Sequence, residues 1–207
     1  MDELDAELLS ALRPRAKRQI RQRMRSLRSA LPAASVAARS AAIVERFSTL
    51  FAFSETRGLA LFWPMAEKNE VDLRALDAAA RARGIRVYYP FLSAAGPTVR
   101  TGFRRVDAVS ELAIGNSGFA EPREDAPEAR RGDIDLLVAP ALAVDARGYR
   151  LGYGKGFYDA TLPDFRPPAR AVAVAFAFQL LSEVPREEHD VRCDTIVTDE
   201  RVIEVAD

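Results

Sequence analysis

Asp135-Leu-Leu-Val-Ala-Pro140, followed at 145–159 by Asp-Ala-Arg-Gly-Tyr-Arg-Leu-Gly-Tyr-Gly-Lys-Gly-Phe-Tyr-Asp, is the stretch of this chain that decides its fold. An apolar run bounded by a charge and a proline predicts a buried parallel strand. Ligand sites of open α/β sheets lie just beyond the ends of such strands. Behind it come four glycines, at 148, 152, 154 and 156, interleaved with Arg147, Arg150, Lys155, Asp145 and Asp159. Glycine lets a ligand reach the backbone, exposed N–H groups cradle an anion, and Lys and Arg supply charge, so the loop suits phosphate. It is not a P-loop, because position 149 is Tyr and position 156 is Gly. The dinucleotide fingerprint fails too, because neither Gly152 nor Gly154 has the Gly or Ala it needs downstream. The plainer alternative is a glycine-rich hairpin between two strands.

Toward the N-terminus, 57–63 predicts a strand ended by Pro64, 71–83 a helix with Gly84 as C-cap, and 85–89 a strand ended by Pro90. This rhythm marks a βαβ unit. Trp63 and Glu70 flank its first loop. Each suits a ligand role, or else core packing for Trp63 and a helix N-terminal acid for Glu70. Residues 2–12 predict a short helix, and Pro14 opens a second one running to Ser29. Ile20, Met24, Leu27 and Leu31 share one face of it, while Lys17, Arg21, Arg25 and Arg28 share another. That basic face is either solvated or brings Lys17 and Arg21, one turn apart, to a single phosphate group. A further helix is expected over 33–53.

Toward the C-terminus, 98–104 predicts an edge strand, 121–132 a surface loop, 156–162 a short helix stopped by Pro163, and 171–178 an apolar strand. A helical or turn segment is expected over 179–184, and the final strand over 195–198. Between them lies the single histidine, His189, which is either a general base or an ordinary surface group. Asp190 and Asp194 can cap or bind metal.

Composition narrows the function classes. The 207 residues are 48% hydrophobic, enough for a sizeable core, and the formal net charge is zero. That balance argues against a nucleic-acid binder. A lone cysteine, Cys193, excludes a disulfide framework and suits a reducing compartment. No apolar run approaches the ~20 residues of a membrane span, and the acidic first residues carry no signal core. A cytoplasmic monomer is expected, folded as one domain over 1–207 with 1–13 as a flexible or helical extension.

With the loop, Lys17-Arg-Gln-Ile-Arg21 and the His189-Asp190 tail together, the chain resembles the 5-formyltetrahydrofolate cyclo-ligase (5,10-methenyltetrahydrofolate synthetase) family. Gly148-Tyr-Arg150-Leu-Gly152-Tyr-Gly154-Lys155-Gly156-Phe157-Tyr158-Asp159 is similar to its signature loop. The longer loop at 65–69 and Phe157, where Tyr is frequent, depart from the pattern. The resemblance implies a three-layer α/β/α sandwich with a mainly parallel sheet. It implies ATP and Mg²⁺, and conversion of 5-formyltetrahydrofolate to 5,10-methenyltetrahydrofolate with release of ADP and phosphate. It gives Lys155 and Arg150 catalytic roles. It places Lys17, Arg21, Arg150, Leu151, Gly152, Tyr153, Gly154, Lys155, Gly156, Phe157 and Tyr158 around ATP. The folate falls to Trp63, Glu70, Tyr153, Gly154, Lys155, Gly156 and Phe157, and the metal to Asp159 and Asp194. The rival readings are a non-catalytic nucleotide- or folate-binding regulator, and an ATP-independent enzyme such as a sugar-phosphate isomerase. A nucleic-acid role for the basic helix is more distant.

Overall fold

A computed structural model describes residues 3–95, 98–115 and 118–206. Helices α1 (Glu3–Ser29), α2 (Ala33–Ser48) and α3 (Phe51–Ser54) lead into strand β1 (Gly58–Ala60), helix α4 (Arg74–Ala82) and strands β2 (Arg86–Ala95) and β3 (Thr98–Arg105). Short strands β4 (Leu112–Ile114) and β5 (Ala120–Pro122) precede β6 (Leu136–Pro140), β7 (Ala143–Asp145) and β8 (Arg150–Leu151). Helix α5 (Phe157–Phe165) and strands β9 (Arg170–Val174), β10 (Leu180–Leu181), β11 (Thr195–Val197) and β12 (Val202–Glu204) complete the chain.

The main sheet has the order β12-β11-β9-β6-β1-β2-β3. β11, β9, β6, β1 and β2 run parallel, and the edge strands β12 and β3 pair antiparallel. β6 is the buried parallel strand read from its apolar run. Alternation along these strands sorts large from small. Leu59, Leu61, Leu136, Val138, Val172 and Val174 join the cluster that includes Ile43 and Phe47 of α2 and Leu76 of α4. Ala60, Ala139, Ala171 and Ala173 join the opposite cluster, with Leu162 and Phe165 of α5. Two helices thus pack on the branched face and one on the alanine face, giving the three-layer α/β/α arrangement. Emptying a fully buried position such as Leu136 would cost about 2–5 kcal/mol.

A second small sheet, β10-β7-β8, stands beyond the end of β6. Helix α1 lies on it, with Met24 packed among Leu142, Ala143, Leu151 and Val184.

Several prolines behave differently from the sequence reading. α1 runs unbroken through Pro14, and α5 through Pro163. An interior proline removes one backbone hydrogen bond, a loss that a helix held by tertiary contacts tolerates. β2 runs through Pro90, because β1 reaches only the level of Tyr88 and leaves β2 paired on one side there. The helix expected over 33–53 breaks between Ser48 and Phe51. The strand expected to reach 178 stops at Val174, and a 3-10 turn at Ala177–Gln179 leads into β10 where a helical or turn segment is expected. β11 is not the last strand, since β12 follows it. On α1, Met24, Lys17 and Arg28 are buried while Leu27 and Arg25 are exposed, so the face that docks onto the body draws residues from both stripes. Gly84 does cap α4: at φ 74° it places the Ile85 N–H 3.0 Å from the Ala80 carbonyl.

Candidate active site

The chain leaves the sheet in opposite directions from β1 and β6, which are neighbours in it. The crevice beyond such strand ends is where open α/β sheets bind ligands. A cleft of about 340 Å³ opens there. Phe62 and Trp63 after β1, Pro140 at the end of β6, and Ala141 and Leu142 beyond it line this cleft. One wall is the basic face of α1, and another the segment from Arg150 to Asp159.

That segment is built in two steps. β7 and β8 form a hairpin whose turn is tied by Asp145, which is fully buried. Its Oδ1 accepts the N–H groups of Arg147 (3.0 Å) and Tyr149 (3.2 Å), and its Oδ2 accepts that of Val184 (3.0 Å). Gly148 has φ 86°, and a Cβ there would lie 2.4 Å from the Cys193 carbonyl oxygen, so only glycine fits. Here the hairpin alternative is correct. The loop 152–156 follows, with Lys155 exposed on it, and Gly156 at φ 67° turns the chain into α5. Here the ligand-loop reading has its support.

Two cations of α1 hold this wall. Arg21 Nε donates to the Gly152 carbonyl at 3.0 Å. Lys17 Nζ donates to Asp190 Oδ2 at 2.9 Å and stands 3.4 Å from Glu187 Oε2. Arg150 is buried; it donates to the Val191 carbonyl at 2.6 Å and to Asp159 Oδ1 at 3.1 Å. The same Asp159 oxygen accepts the Val191 N–H at 3.2 Å. On the far side, Glu70 is 4% exposed. Its Oε2 accepts the Met65 N–H at 2.9 Å, and its Oε1 has no hydrogen-bond partner among the described residues. Burial pushes the Glu70 carboxyl up, against the opposing Met65 amide. An orphaned, buried acceptor on a cleft wall is suited to a ligand donor.

Of the residues that the resemblance assigns to ATP, folate or metal, all but Asp194 line this cleft. Asp194 stands outside it: its Oδ2 accepts the Ala171 N–H at 2.6 Å and its Oδ1 pairs with Arg166, so its carboxylate staples β9 to the segment before β11. The missed acid is Glu187, which joins Asp190, already read as a cap or metal ligand. Together with His189 they offer ligand atoms within 4.8 Å of one another, all at the cleft. The signal was there in the sequence, since Glu187, His189 and Asp190 are spaced to meet across one turn. Magnesium takes few carboxylate oxygens, and the carboxylates of Asp159, Glu187 and Asp190 at the cleft are of that chemistry.

The model of the 5-formyltetrahydrofolate cyclo-ligase family matches residues 13–199. The chain belongs to that family. Cyclo-ligases are ligases, and this chain is an enzyme of that kind. The Mycolicibacterium smegmatis 5-formyltetrahydrofolate cyclo-ligase is 41% identical over 93 residues, 44% of this chain and 48% of that protein, so the aligned part spans about half of the relative. The Escherichia coli cyclo-ligase is 33% identical over 140 residues, 66% of this chain and 75% of that protein. The solution structure of Aquifex aeolicus 5,10-methenyltetrahydrofolate synthetase superposes with a TM-score of 0.78 at 28% identity, covering 92% of this chain and 93% of that one. The cyclo-ligase fold accordingly extends over nearly the whole chain. Among the described residues, no helix is long and apolar enough to cross a membrane.

Proposed function

We propose that this cyclo-ligase converts 5-formyltetrahydrofolate to 5,10-methenyltetrahydrofolate at the expense of ATP, releasing ADP and phosphate. The observation that carries the reading is the cleft itself: a cationic glycine loop and a buried carboxylate with one oxygen free of hydrogen bonds among the described residues face one space from opposite walls. The loop with Lys17 and Arg21 suits a triphosphate, and Glu70 suits the amino groups of a pterin, with Trp63 and Phe157 as apolar walls.

An N-formyl group is a poor electrophile with a poor leaving group. Attack of its oxygen on the γ-phosphorus breaks the bond to ADP and makes that oxygen part of a phosphate ester. The N10 amine then adds to the carbon and loses its proton, and the C–O bond breaks as phosphate departs and the ring closes. Such a transfer depends on positioning and on charge stabilisation. Lys155 supplies a mobile cation next to the migrating group, and the loop N–H groups line it. Arg150 holds Asp159 in place through the 3.1 Å hydrogen bond. Asp159 and Asp190, with Glu187 beside them, are the residues that would hold Mg²⁺. The ion would neutralise phosphate charge.

Steady-state formation of the methenyl chromophore, followed with and without ATP and Mg²⁺, tests this. We expect turnover only with both, and one ADP per product. Product without ATP, or ATP binding without turnover, would replace this reading by the isomerase-like or regulator reading.

A further inference from the structure

Arg28 takes no part in the chemistry above, yet it is 4% exposed. A guanidinium is buried only where its donors and its charge are met. It lies two helical turns beyond Arg21 on the docked face of α1. Its Nε donates to the Lys68 carbonyl at 2.7 Å. Its Nη2 donates to the Tyr153 hydroxyl and stands 3.9 Å from Glu70 Oε1. Asn69 Nδ2 donates back to the Arg28 carbonyl at 2.9 Å and to the Leu31 carbonyl at 3.2 Å. One residue therefore grips the 65–70 loop and the glycine loop together. The Tyr153 ring completes the clasp, with Arg25, Arg28 and Lys68 at 5.4, 5.6 and 5.2 Å from its centroid.

We infer that Arg28 is a positioning residue for the folate half of the cleft, setting its charge beside Glu70 with Oε1 left for the ligand and fixing Tyr153 where that half meets the glycine loop. The inference rests on the reading of Glu70 as the pterin's acceptor.

Electrostatics gives the reason. Burial favours the neutral form of Glu70, and a protonated carboxyl loses its charge and presents an O–H donor where the pterin also presents donors, so it accepts pterin N–H groups less well. The Met65 amide, Tyr153, Arg28 and Lys68 oppose that drift, in this order. The groups facing Glu70 are thus Arg28 from α1, Met65 and Lys68 from its own loop, Tyr153 from the glycine loop and Tyr158 from α5. Lys68 is exposed, so water and salt weaken its effect, and Arg28 is the buried cation of the set. Removing Arg28 takes away that charge and frees Tyr153, the other side chain supporting the carboxylate. Glu70 then keeps its proton to higher pH.

The test is calorimetric titration of 5-formyltetrahydrofolate into wild type, Arg28→Met, Glu70→Ala and the double variant, from mildly acid to mildly alkaline pH. We expect Arg28→Met to weaken folate binding about tenfold at neutral pH. Its acid limb should move to higher pH, and binding should recover as pH rises. On the Glu70→Ala background, Arg28→Met should change binding by no more than about twofold, because the two act as one unit. An unmoved acid limb, or a loss that repeats in full on the Glu70→Ala background, overturns the inference and leaves Arg28 a fold residue. Should Arg28→Met not fold, Tyr153→Phe decides, since losing that hydroxyl must move the same limb in the same direction, and a stationary limb overturns the inference. Glu70→Ala with undiminished folate binding defeats the folate reading itself, whatever Arg28 does.

Discussion

The turn at 145–149 and the loop at 152–156 lie two residues apart in the chain, and their polar groups point in opposite senses. In the turn, both oxygens of a fully buried Asp145 are consumed by backbone N–H groups, and Gly148 presses against the Cys193 carbonyl. In the loop, Lys155 is exposed, and a Cβ added at Gly152 or Gly156 would meet nothing within 4 Å. The first segment is closed on itself and on the 184–193 stretch, while the second is tied to α1 through Arg21 and Arg28 and lines the cleft. A glycine-rich motif can thus be two devices in series, one that fixes a frame and one that is held out from it. Substitutions in the two parts should damage different quantities.

The largest separation is expected from Lys155→Met. A cation next to a migrating phosphoryl group acts on the transition state, and removing one such stabilising group costs about 10²–10³ in turnover. Lys155 is exposed, so the melting temperature should stay within about 1 °C of wild type. Chromogenic turnover measured beside calorimetric unfolding checks both halves of the statement. A large fall in melting temperature would merge loop and turn into one structural element. Wild-type turnover would take Lys155 out of the mechanism.

Both parts of the motif were visible in the sequence as composition, but their division was not. The strand from Leu136 to Pro140 was legible because a strand buried on both faces carries an unbroken apolar run. Trp63, Glu70 and the glycine loop were legible because they follow strand ends, where α/β sheets place ligands. Pro14, Pro90 and Pro163 misled, because a proline marks a local preference that tertiary contacts can override. β12 was missed because three residues of alternation carry little signal without their antiparallel partner β11. Asp194 drew attention by its type, but a carboxylate's role depends on what lies across from it, here Arg166 and the Ala171 amide. Arg28 was seen on the right helical face; what made it informative was the burial of its charge, which periodicity does not report.

The next test falls on the turn. Gly148→Ala would put a methyl group 2.4 Å from a carbonyl oxygen at φ 86°. Strain of this kind costs about 1–3 kcal/mol, and the close contact places this site at the upper end. For a chain of this size that is a fall of roughly 5–10 °C in melting temperature. Folded Gly148→Ala should still bind both ligands at 25 °C, since no part of the turn faces the cleft. If ligand affinity fell while stability held, the turn would be part of the binding surface and the division above would fail.

The smallest effect on stability, and the sharpest test of the loop, is expected at Gly152. Its φ lies outside the left-handed region, and its surroundings are open, so Gly152→Ala should change stability by less than about 0.5 kcal/mol. The space that a methyl group would enter is the space the loop leaves for a ligand, and the Gly152 carbonyl is already held by Arg21 at 3.0 Å. The loop cannot easily withdraw from an added group, because this tie fixes its height above α1. A ligand that approaches the backbone closely should therefore lose affinity, on the order of threefold to tenfold in the KM for ATP, equivalent to about 1 kcal/mol. The KM for 5-formyltetrahydrofolate should change less, because Glu70 holds the opposite wall. Equal losses for both substrates would mean that they share the loop, and an unchanged KM for ATP would mean that the nucleotide keeps its distance from Gly152.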